Sequence, residues 1–101
     1  MSSGEYRIAR QRLPLPAPYA APRTVTEQRL AAIWQTVLSM DCVGVDDAYH
    51  DLGVDSILAA VIFRRIEDAF ELGVPMAMLA DAPTIARLAV KIDRLLAATR
   101  G

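Results

Sequence analysis

At 101 residues the chain has room for one small core and a tail, and no second domain should be hidden in it. Eleven Lys and Arg against 12 Asp and Glu leave a net charge of −1, without the basic excess that drives binding to phosphate backbones, which disfavours a nucleic-acid partner. An apolar share of 53% with only 6% aromatics points to a core of Leu, Ile, Val and Ala; this favours helix packed on helix and argues against disorder throughout.

Residues 1–23 show no sustained period and carry Pro14, Pro16, Pro18 and Pro22. The stretch "LPLPAPYAAP" therefore reads as an extended, flexible Pro-rich tether. The start "MSSGEYRIARQRLPLP" has no apolar signal core, and no apolar run approaches the roughly 20 residues that cross a bilayer, so a soluble cytoplasmic protein without a membrane partner is expected. Arg7, Arg10 and Arg12 are read as solvated linker residues.

The folded unit is expected over residues 24–98. Thr24 and Glu27 have capping-box spacing, which starts a first helix, and Leu30, Ile33, Trp34, Val37 and Leu38 fall on one stripe of it. Trp34 is its largest core anchor. The long connection "SMDCVGVDDAYHDLGVD" follows, polar overall but with Val43, Val45, Tyr49 and Leu52 to pin it to the helices. Its aspartates lack the EF-hand order. The lone Cys42 cannot close an internal disulfide, and with the lone His50 it is too little for a Cys/His zinc site, so no metal is expected.

A second helix is predicted over Ser56–Phe70. Leu58, Ile62, Ile66 and Ala69 share its apolar face with Ala59 and Phe70 nearby, and Ile57 and Val61 lie with Ser56 and Arg64 on the other side. Pro75 suits the first position of a short helix ending near Ala80. Thr84 can cap a last helix carrying Ile85, Leu88, Ala89, Ile92, Leu95 and Leu96 at helical spacing. Residues 99–101 are expected as a disordered tail. The fold class is all-α, a small four-helix bundle of three longer helices and a short one, with a long loop between helices one and two.

Ser56, in "DLGVDSILAA", has three readings. It can cap its helix, although Asp55 could do so as well. It can be a nucleophile, which needs a base and an orienting group, yet the only histidine is His50 and no G-x-S-x-G elbow is present. It can be an attachment point, which needs only exposure.

The residues "VGVDDAYHDLGVDSILAA", with "PRTVTEQRLAAIWQTVL" before them and "LGVPMAMLADAPTIARLA" after them, resemble the peptidyl carrier (thiolation) domains of nonribosomal peptide synthetases. The likeness runs from about Pro14 to Leu96. It implies a non-enzymatic carrier, a monomer, whose Ser56, flanked by Asp55, receives 4′-phosphopantetheine from coenzyme A through a phosphopantetheinyl transferase. The arm would hold aminoacyl or peptidyl thioesters for adenylation, condensation, thioesterase or tailoring domains of an antibiotic-type secondary pathway. Ile57, Val61 and Arg64 would then belong to the partner face. Val54 stands where such domains usually have a second glycine, and Asp55 before the serine resembles the acyl carriers of polyketide synthases, which keeps that cargo class open. An unmodified helical interaction module is the remaining alternative. "YRIARQRLPLP" resembles the end of an adenylation domain, with Arg7 where a lysine is expected.

Overall fold

A computed structural model describes residues 7–100. Four helices, α1 (Val25–Leu38), α2 (Ser56–Phe70), α3 (Met78–Asp81) and α4 (Ile85–Arg100), make up an all-α bundle. Among the described residues, extended pairing is limited to isolated bridges between Ile8 and Met40 and between Ala48 and Thr84.

α1 begins with both halves of the capping box. Thr24 Oγ1 accepts the Glu27 N–H at 3.0 Å, and Glu27 Oε1 accepts the N–H groups of Thr24 at 3.2 Å and Arg23 at 2.7 Å. The helix buries Leu30, Ala31 and Trp34, with Ile33, Val37 and Leu38 packed at the margin. It packs against both α2 and α4. Thr26 Oγ1 donates to Asp93 Oδ1 of α4 at 2.6 Å. The Arg29 guanidinium lies 4.1 Å from the centroid of the Phe70 ring and donates to the Ala69 carbonyl. The start of α1 thus meets the end of α2, so the two run antiparallel and the start of α2 lies at the far end of α1.

Burial by itself pushes Glu27 up, but hydrogen bonds from Arg23, through its backbone and guanidinium, and from the Thr24 backbone outweigh it and hold the carboxyl below its usual range. A depressed folded value stabilises above the unfolded pKa and is lost as pH falls through the folded one. We expect Glu27→Gln to be less stable than the parent at neutral pH, with the gap closing below about pH 4. Urea melts at both pH values check this, and a gap that stays constant with pH would contradict it.

α2 buries Ala59, Ile62, Phe63, Ile66 and Phe70. The stripe is turned from the one predicted: Leu58 and Ala69 sit at its edge, and Phe63, absent from the expected face, is inside. Positions 59, 62, 63, 66 and 70 form an i, i+3, i+4, i+7, i+11 series, and the two phenylalanines give it the most area to remove from water. The short helix also starts later than expected. Pro75 opens a turn in which its carbonyl accepts the Met78 N–H, and α3 begins only there. Thr84 caps α4 as predicted, accepting the Arg87 N–H at 3.3 Å.

Two stretches make contacts that the sequence did not suggest. The flexible tether expected over residues 1–23 is, from Arg7 onward, bound to the domain: Leu13, Leu15 and Ala20 pack on the core and Arg10 is paired with Asp47. Prolines keep this segment extended, and side chains that composition assigns to a linker hold it down. The tail expected from residue 99 is likewise part of α4, which reaches Arg100, with the Thr99 hydroxyl turned back onto the Leu95 and Leu96 carbonyls. Expectations for residues 1–6 and for Gly101 lie outside the described residues.

Candidate functional site

The loop from Ser39 to Asp55 delivers the chain to the start of α2. It is pinned from inside by buried Met40, Val43, Val45, Leu52 and Val54, with Tyr49 partly buried. Val43, Val45, Tyr49 and Leu52 take the role expected of them. Two backbone bonds tie the loop to the start of α4: Tyr49 N–H donates to the Pro83 carbonyl at 2.9 Å, and Ala86 N–H to that of Val45 at 3.0 Å. A tight turn then closes on itself, with the Val54 N–H donating to Tyr49 and the Gly53 N–H to His50. Gly53 has φ +82°, a conformation open to glycine at little cost. Val54 is 7% exposed, its aliphatic side chain turned into the core.

Of the two residues able to cap α2, Asp55 does so. Its Oδ1 accepts the Leu58 N–H at 2.8 Å, and Ser56 is the first helical residue. The Ser56 side chain is exposed and its hydroxyl has no hydrogen-bond partner among the described residues. Freed from capping, it is also free of a base. His50 is 65% exposed at its side chain, lies edge-on to Tyr49 with ring centroids 5.5 Å apart, and places Nε2 3.7 Å from Asp51 Oδ1. A nucleophile of the Ser-His kind needs that imidazole on the serine hydroxyl. Among the described residues the geometry offers an accessible acceptor of a group and no base hydrogen-bonded to it.

Ser56 also lines an open groove of about 360 Å³ between α2 and α3, walled by Tyr49, Val54, Met76, Leu79 and Ala80. The donor set fits a phosphodiester at Ser56 Oγ. The first N–H groups of a helix lack intrahelical acceptors and carry partial positive charge, worth about 0.3–1 kcal/mol to a nearby phosphate. Asp55 opposes this, but its carboxylate is exposed and already holds Leu58.

The residues assigned to a partner face lie together on the outer side of α2. Ile57 is 75% exposed and Val61 40%, and Arg64 is exposed and 3.6 Å from Asp68. Val61 and Arg64, with Ala60, Arg65 and Asp68, line a second open groove of about 580 Å³. Cys42 is half-buried, and burial followed by the Asp41 carboxylate pushes its thiol up, away from a reactive thiolate. Among the described residues no group of three or more His, Cys, Asp or Glu could hold a metal ion, and no helix is long and apolar enough to cross a membrane.

Sequence reasoning missed one structural pair of this site, Arg10 with Asp47. Asp47 reads as one of several loop aspartates, yet it is 1% exposed and is the acceptor around which the loop is built. Residues 37 positions apart leave no periodic trace.

Against this geometry, the family model described as "Phosphopantetheine attachment site" matches residues 28–90. Tyrocidine synthase 3 of Brevibacillus parabrevis is 37% identical over 94 residues, covering 86% of this chain and 1% of that protein. Chondramide synthase cmdD of Chondromyces crocatus is 42% identical over 81 residues, covering 80% of this chain and 2% of the relative. The chain thus spans a very small part of these curated relatives. Of solved structures, the peptidyl carrier protein held in complex with the phosphopantetheine transferase Sfp and coenzyme A superposes with a TM-score of 0.72 at 28% identity, over 75% of this chain and 99% of that one.

Proposed function

Since the chain belongs to the phosphopantetheine attachment site family, we propose that it is a peptidyl carrier, modified on Ser56 and loaded through a thioester on the attached arm. One observation carries the assignment to Ser56: at the helix start the cap is Asp55, which leaves the serine hydroxyl exposed and unpartnered among the described residues. A bond forms between Ser56 Oγ and the phosphorus next to pantetheine, as the pyrophosphate link of coenzyme A breaks and adenosine 3′,5′-bisphosphate leaves. No base stands at Ser56 among the described residues, so the transferase must take the hydroxyl proton. The arm ends in a thiol that holds the acyl group, and the chain's own part is to present, tether and deliver it. Tethering raises the local concentration of that acyl group at each partner site.

The test is incubation of the chain with a phosphopantetheinyl transferase, coenzyme A and Mg²⁺, followed by intact-mass spectrometry. A gain of one phosphopantetheine is expected. An unchanged mass would return the chain to a helical interaction module. Asp55 beside the serine keeps a polyketide-type acyl cargo as a second reading. Offering adenylation and acyltransferase partners in parallel and reading the acyl mass on the arm separates the two.

We assign adenylation, condensation, thioesterase or tailoring domains as the partners, a cytoplasmic location, and Ile57, Val61 and Arg64 as the docking face. Transient contacts suit small exposed apolar groups ringed by charge. Ile57→Asp is expected to keep its thermal midpoint within about 2 °C, because the side chain is 75% exposed, while productive docking falls roughly ten-fold. Transfer rates at several carrier concentrations check this. A rate equal to the parent's, or an unfolded variant, would remove Ile57 from the face.

A further inference from the structure

We propose that residues 8–20 are a strap latched by Arg10 and Asp47, and that the latch decides at which end of the bundle the preceding chain leaves the domain.

The strap is held at three stations along the loop. At its start, the Ile8 N–H donates to the Ser39 carbonyl at 2.6 Å, the Asp41 N–H donates to the Ile8 carbonyl at 2.9 Å, and the Arg10 N–H meets Asp41 Oδ1 at 2.9 Å. In the middle, Arg10 grips Asp47 with both arms of its guanidinium, Nε to Oδ2 at 2.7 Å and Nη2 to Oδ1 at 2.6 Å. At its end, the Val45 N–H donates to the Ala20 carbonyl at 2.9 Å.

The middle station organises the others. The Asp47 side chain is fully buried, and its Oδ2 also accepts the Gly44 N–H at 2.8 Å, so one carboxylate binds both strap and loop. Arg10 also donates to the Ala17 carbonyl at 2.8 Å and lies 5.3 Å from the centroid of the Tyr19 ring, folding the strap around its own guanidinium. Gly44 allows this closeness: a Cβ there would stand 3.1 Å from Asp47 Oδ2 and 3.3 Å from the Ala20 nitrogen. A bidentate pair this dry is little screened by salt. Between these stations Leu13 and Leu15 pack on the edge of the core, while Ile8 and Tyr19 stay about half exposed.

The consequence is one of geometry. Ile8 is bonded at the end of α1, the end of the bundle from which α2 and Ser56 start, whereas Thr24 caps the opposite end of α1, the end near which Arg29 meets Phe70. With the latch closed, the chain is held at the Ser56 end as far back as Arg7, whose guanidinium donates to the Met40 carbonyl at 3.2 Å. With it open, that chain leaves at Thr24, roughly 20 Å away along α1, and regains up to about 50 Å of extended reach over residues 8–23. Tether length and origin set effective concentration, so the latch tunes how readily an upstream partner meets the arm. This consequence rests on the attachment reading; the latch itself does not.

Site-resolved amide exchange by NMR on the unmodified full chain tests the latch. In the parent, the Asp41 and Val45 amides, whose acceptors lie on the strap, are expected to be protected. Arg10→Ala should speed their exchange at least ten-fold and leave Ile62 and Ile66 inside α2 unchanged, and Arg10→Lys should restore part of the protection. Arg10→Ala strands Asp47 and could unfold the domain, so Ile8→Pro is measured beside it: it removes the bond to Ser39 without leaving a charge unpaired, and the Asp41 amide should again be the one that opens. The proposal falls if the parent's Asp41 and Val45 amides exchange freely, if both variants leave them unchanged, or if both speed α2 equally. Failure of Ser56 to accept phosphopantetheine in a chain with these exchange patterns would overturn the carrier reading and leave the latch standing.

Discussion

Ser56→Ala is expected to abolish the phosphopantetheine mass gain completely while leaving the fold as stable as the parent. The hydroxyl makes no bond that holds the helix, since capping belongs to Asp55, and exposed substitutions away from such features usually change stability by less than about 0.5 kcal/mol. Asp55→Ala should do the reverse, costing about 1 kcal/mol for the lost cap while still accepting the arm. Intact mass and thermal melting of both variants read the two effects separately. A modified Ser56→Ala would place the attachment elsewhere, and a strongly destabilised one would show that the hydroxyl has a structural partner after all.

Trp34→Ala should have the largest effect on stability. Trp34 is 1% exposed on the one helix that packs against both α2 and α4. Emptying such a site costs about 3–5 kcal/mol, through lost transfer energy and the cavity left behind. A domain of this size holds on the order of 5–10 kcal/mol. The thermal midpoint should therefore fall by roughly 15–30 °C, with Trp34→Phe keeping most of the loss back. A drop of less than about 5 °C would mean that the core closes over the gap, and Trp34 would no longer be its anchor.

Local rules carry much of this fold. The capping box, the Trp34 stripe, the Thr84 cap and the aliphatic pins of the long loop are visible in the sequence, because each depends on spacing within a few residues. The Phe63 face of α2 was legible in principle, as its series has helical spacing, but two aliphatic-rich stripes overlap there and periodicity alone does not rank them. The attachment site divides in the same way. That a serine follows a glycine-bearing turn at a helix start is read directly from "LGVDS". Which of Asp55 and Ser56 does the capping is not, because both side chains can accept the same N–H and only backbone geometry at the helix start separates them.

What the sequence determined by itself is the class of object: a small bundle of three long helices and a short one, with one exposed serine set at a helix start by a pinned loop. These features follow from near-neighbour chemistry, the 3.6-residue repeat and caps that act over three or four residues. Only the tertiary structure decided that the stretch before the first helix packs on the bundle. A run of prolines and arginines reads as solvated tether, and a buried aspartate reads as one loop acid among several. Each changes meaning only when the chain returns to place Arg10 on Asp47. A buried charge is stable only with its partner, and the partner is far away in sequence, where composition and period carry no information.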